Sequence, residues 1–228
     1  MLRILPLLLS VLGFAFLSGC ATPPKVSLPY VWPDRSAPSL TSASHAAEIV
    51  KVTDSREDRS LDKFLEENPT DSLRKALAAE LVASGAFLRI ATSPEANPIP
   101  TTIEADLHEM SWSVPNYKSM VQTAFVASFL TGGLGGLAYG STETPVVGHA
   151  VVALKIIEQP TGRVILDRTF EGTEEEHMAK LKCDTLQTRA HVMAAALKKA
   201  LVSASQAVES IENPVQSSSA RQLSYSAR

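Results

Sequence analysis

Few residues in this chain have the type and spacing that chemistry needs. Two cysteines, Cys20 and Cys183, and five histidines, His45, His108, His149, His177 and His191, are the candidate nucleophiles, bases and metal ligands. No HExxH, paired CxxC or CxxxH spacing occurs, so the usual zinc ligand sets are missing. Glu174-Glu175-Glu176-His177, followed by Cys183-Asp184, would assemble a metal site if the loop folded back; a solvated acidic loop before a helix is the plainer reading. No serine sits in a GxSxG elbow, and the glycines of 132–140 lack the Lys-Ser/Thr of a phosphate loop. Asp106 and Glu109 fall on a predicted strand, where nothing beside them would raise a carboxyl pKa. Cys183 with His177 or His191 as a thiol–imidazole pair has no supporting motif. The expectation is therefore no catalytic residue, no metal and no cofactor: a protein that is not an enzyme. Asp54 and Arg56 stand apart from these. Two positions from each other just after a strand, they suit a bidentate pair that caps the next loop, or a polar patch on a partner surface.

Cys20 has a clearer context. Arg3 precedes an apolar run from Ile4 to Leu17, which ends in the small residues Ser18 and Gly19. That run has the length of a signal-peptide core and is short for a membrane span. Leu17-Ser18-Gly19-Cys20 resembles the lipobox of bacterial lipoproteins, whose cysteine thiol takes a diacylglycerol and becomes the mature N-terminus. The resemblance implies a signal peptide over 1–19 and several acyl chains, palmitate among them, on Cys20. Two or more chains anchor a protein stably, at about 0.8 kcal/mol per buried CH₂. Ala21 and Thr22 follow the cysteine, where an aspartate commonly retains such proteins at the inner membrane. The resemblance thus implies the periplasmic face of the outer membrane, and it leaves Cys183 without an intramolecular partner.

Composition sets the remaining bounds. The 228 residues are 45% hydrophobic and 20% charged, which excludes collagen-like, disordered and disulfide-scaffold classes. With 21 basic and 24 acidic side chains the net charge is −3, and no Lys/Arg run argues for a nucleic-acid surface. Residues 20–47 carry five prolines (Pro23, Pro24, Pro29, Pro33, Pro38) and several serines, the make-up of an extended tether behind the lipidated cysteine. Residues 212–228, with Ser217-Ser218-Ser219, read as a disordered tail. Residues 48–211 remain for one domain. Within it a strand is predicted at 48–52, then a helix capped by Thr70 or Asp71 and ending at Gly85. Further strands follow at 87–90, 102–112, 148–157 and 163–171, the last two joined by the turn Gln159-Pro160-Thr161-Gly162. A long helix begins at Asp184, with Leu186, Ala190, Met193, Leu197, Leu201, Ala204 and Val208 as its buried stripe. The expected fold is α+β: a mixed β-sheet with two helices on one face, in the order β-α-β-β-β-β-α.

An apolar glycine-rich insertion over 119–142 interrupts that order. It has no charged residue between Lys118 and Glu143, and Pro115 and Pro145 fence it. Gly132, Gly136 and Gly140 recur every four residues, which on one helix would line a single side and admit another backbone closely, as in a glycine zipper. Three readings stand: a transmembrane helix; an apolar helix or helix–turn–helix that covers the sheet or packs on a copy of itself; or a flexible loop. Because the insertion joins two predicted strands, a single crossing would place those strands on opposite sides of a membrane, which disfavours the first. Gly132, Gly136, Gly140, Phe125 and Phe129 are the candidate contacts for a partner, a second copy or the bilayer.

With the lipobox, the tether, Val52-Thr53-Asp54-Ser55-Arg56 and the helix 73–84 followed by Gly85, the chain resembles YajG-type bacterial lipoproteins. More loosely it is similar to small lipoproteins with a TolB-N-terminal-like α+β domain, among them the curli secretion lipoprotein and the penicillin-binding-protein activator LpoB. The resemblance implies a non-enzymatic envelope protein that binds another protein or copies of itself in envelope assembly, secretion or maintenance. The alternatives are an activator of a cell-wall synthase, for which the tether is short, or a ligand carrier.

Overall fold

The computed structural model describes residues 25–33, 46–93, 99–132 and 134–212. Cys20, the signal segment, most of the tether and residues 213–228 lie outside the described residues.

The chain folds as α+β around a five-stranded mixed sheet. Strand β1 (Ala46–Asp54) buries Ala47 and Ile49 on one face. A 3₁₀ turn (Asp62–Phe64) leads to helix α1 (Pro69–Ala83). The cap of α1 is Asn68, whose side-chain oxygen accepts from the Thr70 N–H at 3.1 Å, and not Thr70 or Asp71. Pro69 decides this, because its fixed φ and missing N–H suit the first helical position. Leu73, Ala76, Leu77 and Leu81 form the buried face of α1, and Gly85 leaves it at φ 76°. Strand β2 (Arg89–Ala91) is short, and β3 (Thr101–Ser113) is long. Two helices, α2 (Tyr117–Leu130) and α3 (Leu134–Gly140), occupy the apolar insertion. Strands β4 (Glu143–Glu158) and β5 (Arg163–Ala179) follow, and helix α4 (Leu186–Glu212) closes the described chain.

The strand order is β2-β1-β3-β4-β5, parallel for β2/β1 and β1/β3 and antiparallel from β3 onward. β5 runs eight residues beyond its expected end, because Glu143–Val147 of β4 pair with Glu175–Ala179. Glu174-Glu175-Glu176-His177 is therefore strand and not an acidic loop. Its side chains alternate: Glu174 bonds Lys199 at 2.7 Å, Glu176 bonds His191 at 2.7 Å, and Glu175 meets His177 at 3.3 Å.

Ile49, Ile103, Leu107, Val152, Leu154, Ile156 and Phe170 from one face of the sheet pack against α1 and against Met193, Leu197, Leu201 and Val208 of α4. Two glycines let α4 lie unusually close. A Cβ on Gly148 would stand 2.1 Å from the Val192 carbonyl oxygen, and one on Gly172 would stand 2.0 Å from that of Ala196. The helix answers with small residues, Ala190, Ala196, Ala200 and Ala204, all buried. The short side chains on both sides bring backbone against backbone.

Residues 25–33, expected to be part of the tether, lie on this domain. Val26 donates its N–H to the Phe64 carbonyl at 2.7 Å, and its carbonyl accepts from the Glu66 N–H at 3.1 Å, forming a parallel bridge to Leu65. Val26, Leu28 and Tyr30 pack against the core. The Tyr30 hydroxyl donates to the buried Glu80 carboxylate at 2.6 Å, and Lys198 Nζ lies 3.6 Å from the same carboxylate. A buried carboxylate needs such partners, so this contact holds the segment down. Burial and the bond to Glu80 push the Tyr30 hydroxyl far above the ordinary phenol range.

Candidate functional site

Helices α2 and α3 form an antiparallel hairpin. The turn between them contains Gly132 at φ 62°, a left-handed conformation that glycine adopts without strain. Gly132 therefore ends one helix and does not line one, which removes the single zipper face the four-residue period suggests. Gly136 packs inside the hairpin, where a Cβ would stand 1.7 Å from Ser128 Oγ. Gly140 packs against the segment after β5, where a Cβ would stand 2.5 Å from Leu181 Cγ. Gly132 thus serves a turn, and Gly136 and Gly140 serve two different local contacts.

Large apolar side chains stand on the outer surface of the hairpin, alongside exposed Gln122 and Thr123. Phe125 is 72% exposed, Phe129 81%, Leu130 75% and Leu134 74%, with Val121 and Val126 also exposed, while Met120 is the buried residue of α2. Soluble monomers rarely expose contiguous apolar area of this kind, which makes the hairpin the candidate contact surface. At 14 residues α2 is roughly 21 Å long, short of the ~30 Å hydrocarbon core of a bilayer. No helix among the described residues is long and apolar enough to cross a membrane.

A small second core fixes the base of the hairpin. Val114, Met120, Val146, Cys183 and Val192 are buried together, with Trp112, Tyr139 and Met178 packed around them. Cys183 is a free, buried thiol there; it donates to the Lys180 carbonyl at 3.0 Å, and burial pushes its pKa up. It carries no sign of reactivity. Polar ties surround this core. The Tyr117 hydroxyl donates to Asp184 at 2.7 Å, Asp184 pairs with Arg189, and the Arg189 guanidinium lies 4.2 Å over the Trp112 ring. Lys180 Nζ sits 3.7 Å over Tyr139. Periodicity could not have found the ties from Tyr117 to Asp184 and from Trp112 to Arg189, since they join residues 67 or more positions apart.

Asp54 and Arg56 form the pair expected of them, with a third member the sequence did not mark. Arg56 donates from Nε to Asp54 Oδ1 and from Nη2 to Asp54 Oδ2, both at 2.8 Å, and from Nη2 to both oxygens of Asp62 at 3.0 Å. The Arg56 side chain is 3% exposed. The cluster closes the loop after β1, as a cap does. Next to it a cleft of about 530 Å³ is lined by Ser55, Arg56, Glu57, Asp58, His108, Glu109, Met110 and Ser111.

The carboxylates around that cleft are held ionised. The hydrogen bond from Arg56 keeps Asp54 below the ordinary carboxylate range against the opposing push of burial. Burial pushes Asp106 upward, but bonds from Ser55 and Thr53 and the nearby His108 outweigh it and leave the pKa lowered. Glu109 is lowered by the Ser111 hydroxyl, 2.7 Å away, and by His149 at 3.2 Å. Carboxyls with depressed pKa values are poor proton donors at neutral pH. Among the described residues no three His, Cys, Asp or Glu side chains converge as a metal site.

A pH prediction follows from these shifts. Groups whose pKa is depressed by folding add stability that is present above the unfolded value near 4 and lost as pH falls through the folded value. The thermal midpoint should hold from pH 7 to about 5 and then drop progressively below about 4. A midpoint unchanged down to pH 3 would show that these bonds add nothing.

No family model matches the sequence, and no curated protein matches it. Solved structures of bacterial proteins do match. A putative neuraminyllactose-binding hemagglutinin homolog from Helicobacter pylori is 13% identical, with 84% of this chain and 100% of that chain covered and a TM-score of 0.47. A DUF330 protein from Xanthomonas campestris is 12% identical over 85% of this chain and 98% of its own, with a TM-score of 0.43. A minor lipoprotein from Acinetobacter baumannii is 14% identical over 72% and 93%, with a TM-score of 0.35. Lipoproteins thus stand among the structural neighbours. At these TM-scores none of them carries a role to this chain.

Proposed function

We propose that this chain is a lipid-anchored, non-enzymatic protein of the periplasmic face of a bacterial outer membrane. It acts as an interaction module in envelope assembly, secretion or maintenance, binding another protein or copies of itself. The YajG-type resemblance and the Leu17-Ser18-Gly19-Cys20 motif support the anchor. The observation that carries a second attachment is the apolar hairpin of α2 and α3, with Phe125 and Phe129 fully presented to its surroundings. The docking of residues 25–33 bears on the alternative of a cell-wall-synthase activator. From Cys20 to Val26 the chain can span at most about 22 Å, which leaves little reach through a cell wall.

The test is metabolic labelling with palmitate, outer-membrane fractionation and crosslinking with mass-spectrometric identification of adducts. The wild-type chain should carry label and sediment with the outer membrane. Cys20→Ala should lose the label. An unlabelled wild-type chain, or a Cys20→Ala chain that keeps the label, would overturn the reading.

A further inference from the structure

We infer that the α2–α3 hairpin is a membrane-dipping element, and that the bilayer holding the Cys20 lipid is what covers its exposed side chains. The inference deepens the proposed function and rests on its reading of Cys20 as the lipidated residue.

Topology brings the start of the described N-terminal segment and the hairpin to the same end of the sheet. Val26 bridges to Leu65, three residues after Asp62, which is bound to Arg56 just past the last residue of β1. The described N-terminal segment thus starts at the carboxyl end of β1. β3 runs parallel to β1, with Asp54 opposite Leu107, and continues to Ser113 before the hairpin begins. Those six further residues carry it roughly 20 Å past the end of β1. The chain from Cys20 to Val26 spans at most about 22 Å. Extended, that leash reaches the level where the hairpin starts, so the bilayer surface can lie at the hairpin's base.

The distribution of side chains favours lipid over protein as the cover. At about 100° per residue, Val121, Phe125, Phe129, Val126 and Leu130 spread over roughly 180° of α2, an arc that also holds exposed Gln122 and is wider than the ~100° stripe that one packing partner takes up. An apolar solvent suits the apolar side chains over the whole of that arc. No charge interrupts residues 119–142. At the base stand Tyr117 and Tyr139 with Lys118, Lys180 and Lys182, the aromatic and cationic residues that suit a headgroup layer. Of the acidic residues there, Asp184 is paired with Arg189, and Glu143 is exposed.

The test places an added indole at the tip. The full lipidated chain with Trp32→Phe and Trp112→Phe, carrying Phe129→Trp as its one indole, is reconstituted into vesicles of phosphatidylethanolamine and phosphatidylglycerol with brominated acyl chains. Leu88→Trp, at an exposed position just before β2 at the other end of the parallel strands, serves as the control. The indole at 129 should lose most of its emission to bromine and shift to the blue, while the one at 88 keeps its emission. Equal emission from both would overturn the inference. So would an indole at 129 that shifts to the blue without quenching in a chain that crosslinks as a dimer, because a second copy would then be the cover. The intact mass of the same sample reports acylation of Cys20 independently, so failure of the anchor reading is told apart from failure of the hairpin reading.

Discussion

Arg56→Ala should destabilise the domain by about 3–5 kcal/mol, the cost of leaving buried charge without its partner. The substitution removes four hydrogen bonds at once, two to Asp54 and two to Asp62. Asp54, with a side chain 11% exposed, would keep its charge and lose the guanidinium that compensates it. Asp62 is 30% exposed and recovers part of its loss from water, which places the expected cost toward the lower end of the range. Arg59, whose guanidinium lies 3.8 Å from Asp54, is half exposed and does not fill the gap. Denaturant unfolding followed by circular dichroism measures the change. A loss below about 1 kcal/mol would mean that the cluster is solvated in the working protein.

Gly172→Val should cost about 1–3 kcal/mol or more, because the obstruction is backbone and cannot rotate away. The added Cβ would meet the Ala196 carbonyl oxygen at 2.0 Å and the Ala200 nitrogen at 2.5 Å, both in the middle of α4. Relief requires lifting the helix from β4 and β5, which opens the layer made by Ala196, Ala200 and Val152. Gly148→Val makes the same demand one strand away, against Val192. For a domain of this size each kcal/mol lowers the midpoint by roughly 2–4 °C. An unchanged midpoint would show that α4 sits farther from the sheet than this packing requires.

These two sites differ in how far the sequence announces them. Asp54 and Arg56 follow an apolar strand at a spacing that permits a bidentate pair, so the pair is legible; Asp62 sits in a polar loop where nothing distinguishes it from Asp58. Gly172 falls inside a strand pattern, and its reason lies wholly on α4, whose small residues give no clue to the strand they meet. The α+β character is legible because its patterns are local. Residues 101–113 alternate, 159–162 make a turn, and α4 carries a stripe of 3.6-residue period.

Where a contact spans the chain, pattern reading loses it. Pro29 and Pro33 argue for a tether, yet Tyr30 reaches Glu80, fifty residues on, and docks the segment. Glu174-Glu175-Glu176 has the composition of a solvated loop, but β4 offers a pairing edge, and an outermost strand tolerates charge well. The four-residue glycine period misleads for a conformational reason. Gly132 at positive φ breaks the run into two helices, and Gly136 and Gly140 then each answer a neighbour of their own. The uncharged stretch itself is legible as an apolar insertion between two strands, and there the structure exposes Phe125 and Phe129.

The hairpin is the part of the molecule on which the functional account turns, and it can be probed where the protein works. A photoreactive phenylalanine analogue in place of Phe129, irradiated in intact cells, captures whatever touches the tip. Phospholipid adducts are expected, on a chain that otherwise migrates as a monomer. A crosslinked protein at this position, whether another envelope component or a second copy of this chain, would contradict the membrane-dipping role of the hairpin and leave it as the protein-binding surface.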